Sequence, residues 1–128
     1  MTTQEILKAA RGAKTAVALS DSGTRDSALL GMADALCAPE SMDAILAANA
    51  EDMAAAKGHI SDVMLDRLAL TPQRIEAMAK GIRDVAALPD PVGRVLSHIE
   101  RPNGLVIEKT AVPMGVIAII YESRPNVT

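Results

Sequence analysis

The chain has 128 residues, a net charge of −3 and an isoelectric point near 5.3. That balance argues against nucleic-acid binding, which needs a clustered basic face, and against a polybasic membrane anchor. Hydrophobic residues make up 49% of the sequence and aromatic residues only 1%, so the core is expected to consist of aliphatic side chains and Met.

The cysteine and hydropathy patterns indicate a cytoplasmic protein. Cys37 is the only cysteine, so no internal disulfide can form and a reducing compartment is expected. The N-terminal residues are amphipathic and lack the apolar core of a signal peptide. The longest apolar run, residues 116–121, is far shorter than the about 20 residues that cross a bilayer as a helix.

The first 40 residues predict two helices. Apolar residues recur on one face over residues 3–19, and Thr2 or Thr3 can cap the N-terminus of that helix. A turn signal at residues 20–23 then precedes a second helix, which is expected to run to about Cys37.

A third helix is expected to start near Glu40 and to be interrupted at Asn49. The side chain of Asn49 could cap the amides of Glu51 or Asp52, which predicts a kink or a second helix start at that point. The Lys-Gly-His sequence at residues 57–59 is expected to end the helix.

Two further helices are predicted before a change in character. Ser61 is expected to cap a short helix that ends at about Arg67. Thr71 and Pro72 open the next helix, since proline is tolerated in a first turn. The Pro-Asp-Pro sequence at residues 89–91 stops it.

The segment after Pro91 predicts a β-hairpin. Residues 95–101 and 105–112 have the composition of strands, and Asn103-Gly104 between them is a strong signal for a tight turn. Apolar and charged residues do not alternate cleanly in the second strand.

Residues 116–121 predict a strand buried on both faces of a parallel sheet, because the run is continuously apolar and rich in β-branched residues. Such a strand needs neighbours, and the residues that remain after Tyr121 are too few for a parallel crossover. The sequence is therefore expected to be cut within a fold. The alternative is that this strand pairs antiparallel with the hairpin and is covered by the helices.

Most polar residues that carry chemistry have a structural interpretation. His59 and His98 lie far apart with no ligand cluster beside them, so no metal site is predicted. Cys37 lies on the apolar side of a helix and is interpreted as core filler. Asp62 is interpreted as a favourable contact with the helix dipole. Asp66 and Arg67 are interpreted as members of surface ion pairs. The sequence contains no glycine-rich nucleotide motif.

The polar segment at residues 121–128 is the candidate functional site. It lies just beyond the predicted parallel strand, at the edge of the sheet where ligands of open α/β sheets bind. Arg124 offers a planar donor group for a phosphate or carboxylate. The structural alternative is a strand-to-helix loop in which Asn126 or Thr128 is an N-cap.

The closing sequence VPMGVIAIIYESRPNVT resembles the start of the cofactor domain in the gamma-glutamyl phosphate reductases of the aldehyde dehydrogenase superfamily. Residues 48–57 and 65–93 resemble the same family, and residues 101–105 do so more weakly. The resemblance implies an α/β, aldehyde dehydrogenase-like fold. This piece would supply a helical region (1–93), a hairpin of oligomerisation type (94–112) and the first strand of a parallel NADP-binding sheet (within 113–128).

The resemblance also implies an activity. Gamma-glutamyl phosphate reductases use NADPH to reduce gamma-glutamyl phosphate to glutamate-5-semialdehyde, in the proline biosynthesis pathway. A cysteine thiolate forms a thioester that hydride then reduces. The family's cysteine lies beyond position 128 and does not correspond to Cys37, so the chain alone is expected to be inactive.

Carried over residue by residue, the resemblance implies one catalytic residue and three cofactor-binding residues. The Asn126 amide would donate a hydrogen bond to the thioester oxyanion. Ser123, Arg124 and Pro125 would lie near the nicotinamide or the substrate phosphate. The implied partners are the small-molecule substrate, further copies of the chain in a homo-oligomer, and glutamate 5-kinase as a candidate.

A second interpretation is a stand-alone helical module that derives from the same family and binds a partner. A kinase–reductase fusion is a third, and it is disfavoured because Met1 directly precedes the reductase-like helix. The reading frame downstream of Thr128 discriminates between the first two: further βα units and a cysteine would indicate the enzyme.

Overall fold

The computed structural model describes residues 2–121 and 125–127. Within these residues the chain forms five α-helices, one two-stranded sheet and a 3-10 turn. Their bounds are α1 Thr3–Leu19, α2 Ser22–Cys37, α3 Pro39–Ala56, α4 Asp62–Leu68, α5 Pro72–Ala86, β1 Val95–Glu100, β2 Val106–Thr110 and η1 Pro125–Val127. The described residues divide into two compact units: 2–22 with 89–118, and 23–88 with 119–121 and 125–127.

Helix α1 of the first unit begins in a capping box. The Thr2 backbone N–H donates to Glu5 Oε2 at 2.7 Å, and Glu5 N donates to Thr2 Oγ1 at 3.3 Å, which satisfies two amides at the helix start. The predicted bounds of this helix are confirmed. No residue of α1 is buried; Ile6 and Val17 are both more than half exposed.

The predicted hairpin is confirmed in the first unit. Strands β1 and β2 pair antiparallel, and a bulge at Leu96 interrupts the register between Val95 and Ser97. At the turn, Gly104 N donates to Arg101 O at 2.9 Å. The φ of Gly104 is 82°, a conformation that glycine adopts without the steric cost of a Cβ. Every residue of both strands is exposed.

The strand predicted over residues 116–121 is not formed, so the expected first strand of a parallel sheet is a wrong prediction for this structure. The described residues contain one sheet, β1–β2, and residues 116–121 belong to no strand. The antiparallel alternative is not observed either. Ile117 and Ile119 are largely exposed, and Ile120 is 98% exposed. The composition is that of a buried strand, but a strand forms only against a neighbour that completes its hydrogen bonds.

Helices α2 to α5 form the second unit, with the bounds that the sequence predicts to within two residues. Its fully buried apolar side chains are Ala33, Ile75 and Ala79, from α2 and α5. Ser61 caps α4 and Thr71 caps α5, each through a hydroxyl oxygen that accepts from an amide three residues on. The predicted Ser61 cap is confirmed, and α5 begins at Pro72 as predicted.

The interruption predicted at Asn49 is wrong. Helix α3 runs without a break from Pro39 to Ala56, and the Asn49 side chain does not cap the amides that follow it. Instead it is 7% exposed and bonds to the connection between α4 and α5. The prediction assumed that the Asn49 side chain would bond to the backbone of its own helix. Because it bonds to Leu68 and Leu70 instead, it does not compete with the hydrogen bonds of α3.

Among the described residues, no helix combines the length and apolarity needed to cross a bilayer.

Candidate functional site

The connection between α4 and α5, residues 69–71, is held by two side chains from different helices. Asn49 Nδ2 donates to Leu68 O at 2.9 Å, and Leu70 N donates to Asn49 Oδ1 at 2.7 Å. Arg74 Nη1 donates to Ala69 O at 2.8 Å and also to Asp66 O. These bonds satisfy backbone groups at the end of α4 that have no partner within the helix.

A small cavity of about 370 Å³, here called the α3 pocket, lies beside this connection. It is lined by residues of α3, of the α4 end and its connection, and of the C-terminal segment: Ile45, Ala48, Asn49, Asp52, Leu68, Leu70, Tyr121 and Pro125. The lining is mostly apolar, and its polar side chains are Asn49 and Asp52 from α3 and Tyr121 from the C-terminal segment.

A larger depression, here called the α5 groove, lies in the same unit and has a volume of about 1480 Å³. Apolar side chains of α2, α3 and α5 line it, together with Arg67, Arg74 and η1. Tyr121 and Pro125 line both the pocket and the groove. A mostly apolar concavity with a few polar groups has the character of a ligand site.

The structure brings Asn126 and Pro125, two of the four predicted site residues, to the α5 groove. Both lie in η1, which packs against α5. Asn126 is exposed and Pro125 is half-buried, so the Asn126 amide is accessible at the groove. The predictions for Ser123 and Arg124 fall outside the described residues.

Asp62 and Asp66 of α4 have the surface contacts that the sequence predicts. Asp62 lies in the first turn of α4, where a negative charge favours the helix dipole. Asp66 Oδ1 accepts from Arg74 Nη2 at 2.8 Å, with both side chains well exposed. Arg67 is exposed at the α5 groove.

A second exposed ion pair links α2 to α5. Arg83 Nη2 lies 2.8 Å from Asp34 Oδ1. The hydrogen bond to Asp34 is the main cause that raises the pKa of the Arg83 guanidinium above its usual value. Cys37 lies near this guanidinium at the end of α2 and is partly exposed, so the predicted buried role of the thiol holds only in part.

The hairpin positions His98 between two carboxylates. His98 is directly opposite Glu108 in the register, with Nδ1 2.9 Å from Glu108 Oε1, and Nε2 lies 3.4 Å from Glu100 Oε1. Neither these three residues nor any other group of His, Cys, Asp or Glu among residues 2–121 and 125–127 is arranged so that it could hold a metal ion.

The sequence analysis did not anticipate that Asn49 bonds to backbone groups far from it in the sequence. The signal was present: Ile45 and Met53 lie four residues to either side of it in the sequence, so a helix places Asn49 in the middle of an apolar stripe. A polar side chain in that place must find buried partners.

The chain is similar in sequence to curated proteins and in structure to solved ones. It is 58% identical over 125 residues to the gamma-glutamyl phosphate reductase of Streptococcus pneumoniae strain Hungary19A-6, across 98% of the chain and 29% of that protein. The crystal structure of gamma-glutamyl phosphate reductase from Thermotoga maritima matches with a TM-score of 0.90 and 38% identity, over 97% of this chain and 30% of that one. The Saccharomyces cerevisiae structure of the same name matches with a TM-score of 0.85 and 38% identity, over 99% and 32%. No protein-family model matches the chain.

The helical region followed by an antiparallel hairpin is thus the N-terminal architecture of a class of reductases. Over nearly its whole length the chain corresponds to one part of the gamma-glutamyl phosphate reductases, which confirms the resemblance found in the sequence. It spans about three tenths of the length of the relatives that it matches.

Proposed function

We propose that the complete protein reduces gamma-glutamyl phosphate to glutamate-5-semialdehyde with NADPH and releases phosphate, in proline biosynthesis. The observation that carries the proposal is the 58% identity over 98% of the chain to a curated gamma-glutamyl phosphate reductase. The TM-scores of 0.90 and 0.85 to two solved proteins of that name support it.

The proposal includes an aldehyde dehydrogenase-like fold with three parts in this chain. Residues 1–93 form the helical region, residues 94–112 the oligomerisation hairpin, and residues 113–128 the start of the NADP-binding domain. The exposure of residues 116–120 supports the last assignment, because a β-branched apolar run is stable in water only once neighbouring strands and helices cover it.

The chemistry requires a nucleophile, an oxyanion donor and a hydride source. In the proposed reaction a thiolate displaces phosphate from the acyl phosphate to give a thioester, and NADPH would supply the hydride that converts the thioester to the aldehyde with release of the thiolate. Cys37 lies on α2 and does not line the α5 groove, so we assign the nucleophile to a cysteine outside this chain.

Within this chain we propose Asn126 as the oxyanion donor and Ser123, Arg124 and Pro125 as cofactor-binding residues. The accessible Asn126 amide in the α5 groove supports the first assignment, since an oxyanion donor must reach the reacting oxygen. Pro125 is next to Asn126 in the same turn.

The test is NADPH oxidation with gamma-glutamyl phosphate, followed at 340 nm, by the complete protein and by the 128-residue chain. We expect turnover by the complete protein and none by the chain, because the chain lacks the proposed nucleophile and sheet. Turnover by the 128-residue chain would contradict the proposal that the nucleophile lies outside it. An inactive but folded complete protein would contradict the proposed function.

We further propose that the complete protein is a cytoplasmic homo-oligomer, with glutamate 5-kinase as a candidate partner. Two unpaired strand edges and the exposed apolar side chains of the hairpin favour association with another chain. Co-purification of glutamate 5-kinase with the tagged complete protein tests the proposed interaction with the kinase.

The alternative is a stand-alone helical module that binds a partner. The observation in its favour is that α1 has no buried residue, so its apolar stripe has room for a partner. The reading frame beyond Thr128 decides between the two: a stop codon favours the module, and continuation into βα units with a cysteine favours the enzyme.

A further inference from the structure

Asn49 has a second feature besides its burial: both of its hydrogen bonds end on one short stretch of backbone. Its amide nitrogen donates to Leu68 O at 2.9 Å, and its oxygen accepts from Leu70 N at 2.7 Å. The two partners lie on either side of Ala69, where α4 has ended and α5 has not begun. Ala69 N donates to Leu65 O and Thr71 O accepts from Ile75 N, which leaves Leu70 between these two helical bonds. The Leu70 amide therefore depends on the Asn49 side chain for its partner.

The stretch that Asn49 holds also lines the α3 pocket and the α5 groove. Leu68 and Leu70 line the α3 pocket together with Tyr121 and Pro125, and Leu70 also lines the α5 groove. The residues on either side of positions 122–124 therefore share a cavity with backbone that the Asn49 amide fixes.

We propose that Asn49 is a positioning residue for η1: through Leu68 and Leu70 it fixes where Tyr121 and Pro125 lie, and thereby where Asn126 is presented. The catalytic consequence rests on the proposed function of Asn126, but the positioning of η1 does not.

Apolar contacts would be enough to hold α3 against the α4–α5 connection, but the Asn49 amide also fixes the position of the connection. Apolar contacts are non-directional and tolerate small shifts, whereas a donor and an acceptor on one side chain require a single placement of both partners. The α3 pocket lies beside that placement, so a change at Asn49 is transmitted to the pocket wall. A displacement of about 1 Å at a reacting group lowers turnover by on the order of a hundredfold.

The experiment compares three variants of the complete protein. Asn49→Leu has a similar shape and removes both hydrogen bonds, while Asn49→Asp keeps the acceptor for Leu70 N and loses the donor to Leu68 O. Ile75→Val is the control: Ile75 is fully buried in α5 and lines neither cavity, so it reports a general loss of stability. Thermal midpoints are measured for all three.

The first measurement is hydrogen–deuterium exchange of the peptide that covers residues 119–128. We expect faster exchange in Asn49→Leu, a smaller increase in Asn49→Asp, and no change in Ile75→Val. Equal exchange of this peptide in the Asn49 variants and the control would overturn the positioning role. If Asn49→Leu fails to fold, the comparison of Asn49→Asp with Ile75→Val decides the question.

The second measurement is kcat for NADPH oxidation at a temperature well below each midpoint. We expect kcat to fall by on the order of ten- to a hundredfold in Asn49→Leu and to stay within about twofold in Ile75→Val. Faster exchange of residues 119–128 with an unchanged kcat would support the positioning of η1 and would remove the catalytic role of Asn126. The two proposals therefore fail separately.

Discussion

At the scale of single residues, the sequence points to Asn126 as a site residue but does not reveal the role of Asn49. Asn126 could be singled out because it follows an apolar run in a polar segment, and the structure brings it to the α5 groove. The role of Asn49 could not be derived from its neighbours, because its partners are 19 and 21 residues away. Propensity rules describe local competition for hydrogen bonds and do not specify partners on another helix.

Asn126→Ala in the complete protein tests the oxyanion donor. Removal of one preorganised donor lowers kcat by on the order of a hundredfold or more, while the substrate ground state is little affected. We therefore expect a large loss in kcat and a small change in KM, from steady-state rates of NADPH oxidation. Ser123→Ala is the comparison variant: a loss confined to Ser123→Ala would transfer the donor role to that hydroxyl.

At the scale of elements, helices are predictable from this sequence where their start signals are local. Thr2 and Ser61 each precede a helix and cap it as expected, and α5 starts at the expected Thr71-Pro72 sequence. The hairpin is predictable for the same reason, since Asn103-Gly104 sets the turn. The conformation of residues 116–121 was not predictable, because a strand forms only against a neighbouring strand and the composition of the run does not say whether one is present.

One substitution at two glycines should have opposite effects on element stability. Gly104→Ala forces alanine to a φ of 82° and costs about 1 kcal/mol or more, whereas Gly31→Ala lies inside α2 with nothing within 4 Å of the new methyl group and stabilises by about 0.4–1 kcal/mol. Thermal unfolding of the complete protein should show a lower midpoint for the first and a higher one for the second. Shifts of equal sign would contradict the assignment of φ as the cause.

At the scale of the whole molecule, the described residues bury little. Three apolar side chains are fully buried, from α2 and α5, while α1 and both strands have none. The chain spans about three tenths of its relatives' length, and a core grows with the chain that encloses it. The family could be recognised from sequence blocks, whereas the surfaces that the remaining length covers could not be located from them.

We predict that the purified 128-residue chain self-associates. The open edges of β1 and β2 and the exposed apolar side chains at residues 116–120 favour pairing between chains. Sedimentation velocity at increasing concentration should show a rising weight-average mass. Ile120→Lys, which places a charge on a side chain that is 98% exposed, should reduce the effect; a monomer at all concentrations would contradict the prediction.

The exposed run at residues 116–120 also bears on synthesis in the cell. A growing polypeptide emerges from its N-terminus, so the helices α1 to α5 can form while the strands that would cover this run are still untranslated. Until then the ribosome-bound chain displays Ile117, Ile119 and Ile120 to the solvent. Such a β-branched stretch has the character of a binding site for a chaperone. On the proposed fold, the chaperone would be needed until the strands that cover residues 116–120 have been translated.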